Sequence, residues 1–147
     1  MIKEVQGDIF KTDCTYKAIP VNLVGVMGKG LALEFKRRHP RFFEIYKEQI
    51  NSGELKWRKP SLIQSWIMFP TKNHWRNSSD PVDICHTIIE LKQMLLERHP
   101  EKGAPLTLAL PALGCGLGGM NYKLLKQIVE LVFGKDDRFF VELYPPR

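Results

Sequence analysis

Two glycine-rich segments, Gly25-Val26-Met27-Gly28-Lys29-Gly30 and Gly114-Cys115-Gly116-Leu117-Gly118-Gly119, each follow a short apolar run and precede an amphipathic stretch. The chain must therefore turn sharply from strand to helix twice, and glycine supplies the positive φ and close backbone approach that such turns need. A helix beginning beyond such a turn offers unpaired N–H groups to an anion. Together the two loops read as a clamp for a phosphorylated ligand.

The rest of the chain supports an alternation of strands and helices. Ile2 to Val5, Lys17 to Val24, Leu55 to Trp57, Leu62 to Phe69, Leu106 to Leu110 and Phe139 to Tyr144 carry the β-branched and apolar composition of strands. Leu31 to Arg38 is a helix ended by His39-Pro40, and Phe42, Ile45, Tyr46 and Ile50 form the stripe of a second, closed near Gly53. Asp80-Pro81 opens a third with a capping side chain and a proline at its first position, and its stripe is Cys85, Ile88, Ile89, Leu95 and Leu96. Asn121 caps a fourth helix, turned inward through Leu124, Leu125, Ile128 and Val132 and stopped by Gly134. This order predicts a three-layer α/β/α architecture around a central mixed or parallel sheet, with ligands bound beyond the carboxyl ends of the strands. Both glycine loops fall there.

At 147 residues and 44% hydrophobic composition, residues 1–147 suit one domain with one sizeable core. Lysine and arginine exceed aspartate and glutamate by 22 to 16, a net +6 that favours polyanionic or phosphorylated partners, although solubility accounts for it equally well. Cys14, Cys85 and Cys115 are odd in number and lack metal-ligand spacing, and no signal peptide precedes them. The expectation is a reducing, cytoplasmic compartment with no metal site. No apolar run is long enough to span a bilayer, and nothing calls for a cofactor.

Gly114-x-Gly116-x-x-Gly119 formally matches the dinucleotide fingerprint, with Glu142 about where a ribose-binding acid belongs. It lies in the last third of the chain, however, and leaves room for only one further helix and strand, whereas that fold places its fingerprint in the first βα turn. Between the two loops stands Phe69-Pro70-Thr71-Lys72-Asn73-His74-Trp75-Arg76, a density of reactive and stacking side chains that packing alone does not require. His39 and His99, each in Arg-His-Pro at a helix end, read as complements to the helix dipole.

Gly7-Asp8-Ile9-Phe10, Asn22 with the GVMGKG loop and the following LALEFK, LPALGCGLGG at 110–119 and the terminal VELYPP at 141–146 together resemble the macrodomain family, which binds ADP-ribose. GVMGKG running straight into a helix, and FPTKNHWR, are most similar to the branch of the DarG antitoxin macrodomain and the terminal ADP-ribose protein glycohydrolase. The resemblance implies that Asp8 holds the adenine amino group with the Ile9 backbone nearby, and that Tyr144 lines the adenine pocket. Read from residue type alone, Asp8 equally suits an Asx-turn or a cap, and Tyr144 a core aromatic. Val26, Met27, Gly28, Lys29 and Gly30 would lie over the distal ribose and diphosphate, with Lys29 either adding charge or merely solvated. Gly114, Cys115, Gly116, Leu117, Gly118 and Gly119 would face the diphosphate, the N–H groups of 116–119 foremost. Asn22 would approach the scissile end or the base.

In this branch the lysine corresponding to Lys72 attacks or stabilises the anomeric carbon of the distal ribose, a role that calls for a depressed pKa. Thr71 and His74 flank the same end. Trp75 is either a stacking platform for an unpaired base or a hydrophobic anchor. Glutamate-directed members carry an aspartate just after the Gly-Cys-Gly-Leu run, where this chain has Gly118. That departure leans toward release of ADP-ribose from thymidine in DNA. The alternatives are a non-catalytic reader of ADP-ribose or ADP-ribosylated protein, a hydrolase of glutamate-linked ADP-ribose, and a phosphatase of ADP-ribose 1''-phosphate. The branch also implies a cognate ADP-ribosyltransferase toxin as partner. Cys115, without a paired base, is not read as a nucleophile.

Overall fold

The computed structural model describes residues 1–73, 79–101, 103–116 and 119–146. In chain order the elements are β1 (Ile2–Glu4), a 3-10 turn (Ile9–Lys11), β2 (Tyr16–Asn22), α1 (Gly30–Arg38), α2 (Pro40–Ser52), β3 (Ser61–Ile63), β4 (Trp66–Lys72), α3 (Pro81–Arg98), β5 (Leu106–Leu110), α4 (Tyr122–Phe133) and β6 (Phe139–Leu143). The sheet order is β1-β6-β5-β2-β4-β3. All neighbours run parallel except β3, which pairs antiparallel with β4.

Strand alternation divides the interior in two. Ala18, Ile67, Phe69, Leu108, Leu110, Val141 and Leu143 face α3 and α4, while Ile19, Val21 and Met68 face Phe35 of α1 and Phe43 and Tyr46 of α2. This is the mixed sheet with helices on both faces that the alternation of elements predicts. Each large apolar side chain so buried contributes about 1.5–3 kcal/mol on leaving water. Because β4 and β5 flank β2 on opposite sides, α3 must carry the chain across β2, a crossover that keeps β4, β2 and β5 parallel with their carboxyl ends at one edge.

Helix boundaries follow local chemistry. Asp80 accepts from Val82 N at 2.8 Å with Pro81 at the first helical position, and Asn121 accepts from Lys123 N at 2.8 Å and Leu124 N at 3.4 Å. Gly53 closes α2 with φ +79. Several expectations are corrected. Leu55 to Trp57 forms no strand: Leu55 is buried against α2, and the segment turns through a lone Lys56–Lys59 bridge with Arg58 at φ +62. The apolar run Leu62 to Phe69 is two strands, because Gln64 takes φ +54 and reverses the chain into β3–β4. Ile89 and Leu124 are turned toward solvent, and Ile84, Leu91, Val129 and Phe133 fill the inward faces instead. A hydrophobic stripe is wide, and which edge of it meets the sheet depends on helix rotation.

His39 departs from its dipole reading. Its ring lies stacked on Phe42 at 5.1 Å and close to Phe35 and Trp66, and burial, then Arg38 and Lys17, push its pKa below the ordinary histidine value. At neutral pH it is an uncharged packing ring. His99 instead meets the Tyr16 hydroxyl through Nε2 at 2.7 Å.

Asp136 ties the turn between α4 and β6 to α3 through Lys92 at 2.8 Å and to Arg138 at 2.7 Å. Hydrogen bonds from Arg138, then from Lys92, overcome burial and hold its carboxyl well below the usual range. A depressed folded pKa stabilises above the unfolded value and loses that contribution as the pH falls. Asp136→Asn is therefore expected to cost about 1–2 kcal/mol at pH 7. In urea unfolding its deficit against the parent should shrink progressively below pH ~4.

Candidate functional site

Three neighbouring parallel strands end at one edge of the sheet, and each delivers a segment singled out in the sequence. β2 runs into the first glycine loop, β5 into the second, and β4 ends on Lys72. The register of β2 on β4 slips between Val21 and Asn22, so that Asn22 pairs with Lys72 instead of Thr71. Beyond the slip, Leu23 N donates to Asn73 O at 3.3 Å. A bulge of this kind re-aims side chains at a strand end. The half-buried Lys72 thus stands beside the root of the first loop.

The first loop is built on Asn22. Its Oδ1 accepts from Val24 N at 3.1 Å and Val26 N at 3.3 Å, while its Nδ2 donates to Val26 O at 2.8 Å. Asn22, expected at the scissile end, uses both ends of its amide to shape the turn. Tyr46, legible from the sequence only as part of a helix stripe, donates its hydroxyl to Asn22 O at 2.6 Å and lies 3.0 Å from Asn22 Oδ1. Met27 plugs the α1–α2 core with its side chain, so only its backbone is available to a ligand. Val26, Gly28, Lys29 and Gly30 remain exposed. Lys29 stands at the N-cap of α1 without a side-chain capping bond, so the first-turn amides of α1 are not spent on a cap there.

The second loop is different. Its Cys115 N donates to Ala112 O at 3.1 Å, Gly119 N to Gly116 O at 3.1 Å, and Met120 N to Gly114 O at 2.9 Å. The amide of Gly119, expected to face a diphosphate, therefore closes the turn on itself. Asn121 caps α4 as expected, its side chain accepting from Lys123 N and Leu124 N. Leu117, Gly118, His74, Trp75 and Arg76 lie outside the described residues. Burial pushes the Cys115 thiol up to about 11, which keeps it protonated and unreactive near neutral pH.

The proposed adenine residues share one corner. Ile9 and Tyr144 are buried together with Cys14 and Ala109, and Leu31, in the first turn of α1, packs on them. Asp8 Oδ1 accepts from Phe10 N at 2.9 Å, capping the 3-10 turn, while Oδ2 lies 3.9 Å from Arg38, whose guanidinium covers the Phe10 ring. Tyr144 N donates to Leu110 O at 2.9 Å, which fastens the end of β6 to the start of the second loop. Tyr144 also donates its hydroxyl to Glu142 at 3.0 Å, and Thr12 donates to the same oxygen at 2.6 Å. Burial opposes the Glu142 charge, but these donors outweigh it and hold the carboxyl below its ordinary value. Glu142, the acid of the rejected dinucleotide motif, is thus occupied inside the corner. Among the described residues no group of His, Cys, Asp and Glu could hold a metal ion, and no helix is long and apolar enough to cross a membrane.

No family model matches the chain. The chain is similar to the macrodomain of Mycobacterium tuberculosis DarG, with 34% identity, a TM-score of 0.90 and coverage of 100% of this chain and 99% of that one. The chain belongs to the DarG branch of the macrodomain family. Over 154 residues it is 33% identical to the M. tuberculosis protein named DNA ADP-ribosyl glycohydrolase, a match that covers 99% of this chain and 42% of that protein. The chain spans about two fifths of that relative's length. The structure of Thermosipho africanus DarTG in complex with ADP-ribose matches at 28% identity and a TM-score of 0.83, over 99% of this chain and 41% of that one. Human ADP-ribose glycohydrolase OARD1 is 28% identical over 141 residues, covering 92% of this chain and 86% of that protein.

In this macrodomain the second loop meets the end of β4 through Gly114. Its φ is +75, and a Cβ there would lie 2.9 Å from Ser79 Cβ, while Ser79 Oγ donates to Thr71 O at 3.2 Å. The contact stitches the second loop to the residue before Lys72. Gly114→Ala should therefore cost about 1–3 kcal/mol in urea unfolding. Adding Ser79→Gly should restore part of it, because the second change removes the collision and leaves only the backbone strain.

Proposed function

We propose that this macrodomain is an ADP-ribosyl glycohydrolase that releases ADP-ribose from thymidine in DNA, with Lys72 as its catalytic group. The observation that carries the reading is the slipped register that pairs Asn22 with Lys72, an amine held beside the root of a glycine loop at a shared strand edge. The M. tuberculosis relative named for DNA ADP-ribosyl glycohydrolase activity and the Thermosipho relative solved with ADP-ribose support it. So does the glycine at 118, where glutamate-directed members carry an aspartate.

In the proposed complex the adenine lies in the Asp8, Ile9 and Tyr144 corner, with Asp8 Oδ2 toward its amino group. The diphosphate lies along the exposed glycines of the first loop and the open N-terminus of α1, where aligned amides favour negative charge. The distal ribose then extends toward Lys72. Hydrolysis breaks the bond from the anomeric carbon to thymine, and water supplies a hydroxyl to that carbon and a proton to the departing base. Lys72 assists either as the nucleophile of an adduct that water resolves or as the proton donor. A net charge of +6 suits a DNA substrate, whose phosphates reward basic surfaces. The three cysteines, all free thiols, suit a reducing cytoplasm. A cognate ADP-ribosyltransferase is the proposed partner, since a T. africanus relative, 32% identical over 144 residues, is named as a fusion of DNA ADP-ribosyl transferase and DNA ADP-ribosyl glycohydrolase.

The test is to follow ADP-ribose release from ADP-ribosylated thymidine DNA and from glutamate-modified protein side by side. Release from the DNA alone is expected, and Lys72→Ala should lower it at least about 100-fold while ADP-ribose affinity by calorimetry stays within a few-fold. Affinity without release from either substrate would make the chain a reader. Release from the protein alone would reassign the linkage.

A further inference from the structure

We propose that Tyr46 is a positioning residue that fixes the first glycine loop and, through Asn22, the strand end that carries Lys72; the consequence for catalysis rests on the function proposed above. Tyr46 is fully buried in the core between α2 and the sheet, where a phenylalanine would fill the same space. Its hydroxyl is therefore the informative atom, because a buried polar group is costly unless it is bonded.

Every bond of that hydroxyl goes to the loop. It donates to Asn22 O at 2.6 Å and lies 3.0 Å from Asn22 Oδ1. Asn22 Oδ1 in turn receives Val24 N and Val26 N. One phenol and one amide thus hold the turn from residue 22 to residue 26, and Asn22 is also the residue at which the register slips onto Lys72. Burial raises the phenol's pKa, so it stays a donor throughout the working pH range.

The helix behind it is fixed independently. One turn along the same face of α2, Gln49 donates to Leu62 O at 2.8 Å and accepts from Ser61 Oγ at 2.6 Å. Held to the edge strand β3 in this way, α2 gives Tyr46 a rigid base from which to set the loop. Two buried polar side chains on an otherwise apolar helix face serve two different attachments, β3 through Gln49 and the loop through Tyr46. A satisfied network of this kind specifies one arrangement more sharply than apolar packing does.

Tyr46→Phe tests the assignment with readouts that do not require turnover. Amides of Val24 and Val26 are expected to exchange at least about tenfold faster in the variant, with those of Met68 and Leu108 in the central strands unchanged. The ADP-ribose Kd should rise about 3–10-fold, as expected for a loop that loses one organising hydrogen bond. Asn22→Ala, which leaves Tyr46 in the core, should speed the same two amides and so tests the link from its other end. Unchanged exchange in the loop, acceleration spread evenly through the central strands, or an unchanged Kd would reduce Tyr46 to a packing aromatic. If the parent protein releases no ADP-ribose from any substrate, the proposed function falls, while the exchange comparison still decides the role of Tyr46.

Discussion

Parallel pairing of β4, β2 and β5 is the constraint on which the candidate site depends. Only parallel neighbours end at the same edge, and that edge collects the first glycine loop, the second glycine loop and Lys72 from three separated stretches of chain. Parallel strands need long crossovers, and the helices that make them also supply the two apolar layers that bury the sheet. The same connection that stabilises the fold therefore assembles the site. The one-residue slip at Asn22 adds a local adjustment, moving Lys72 into register with the residue that shapes the first loop.

The two glycine loops look equivalent as strings of residues, yet they do different physical work. The first is organised by a side-chain amide and a buried phenol, and it leads into a helix whose N-cap residue makes no side-chain capping bond. The second is closed by its own backbone, and the helix after it is capped by Asn121. Among the described residues, the N-terminus of α1 is left without a side-chain cap, whereas that of α4 is capped. Gly114 in the second loop instead serves close approach, letting the backbone lie against Ser79 and so against the end of β4.

The Asp8 corner illustrates how one side chain can serve two readings. An Asx-turn and an adenine contact are compatible, because one carboxylate oxygen caps the turn while the other lies toward Arg38 at the surface. Tyr144 and Glu142 form a pair of a similar kind. Their mutual hydrogen bond settles the buried polar atoms, and the tyrosine ring packs with Ile9 beneath the same corner.

Element type was legible wherever local chemistry decides it. Asp80-Pro81, Asn121, Gly53 and the periodic apolar residues declare their helices in the sequence, and the glycine loops and Lys72 stand out because packing does not require them. Chain alternation was enough to imply helices on both faces of a sheet. What the sequence left open depends on partners far along the chain. Gln64 reversing an apolar run, Ile89 and Leu124 facing water, the neutral stacked ring of His39, and the Tyr46 hydroxyl reaching Asn22 all arise from how rigid elements rotate and settle against one another. Propensity and spacing act within a few residues, so they set the elements and expose the reactive side chains. Register, helix rotation and the pairing of buried polar atoms are decided by long-range packing, and only the folded chain fixes them.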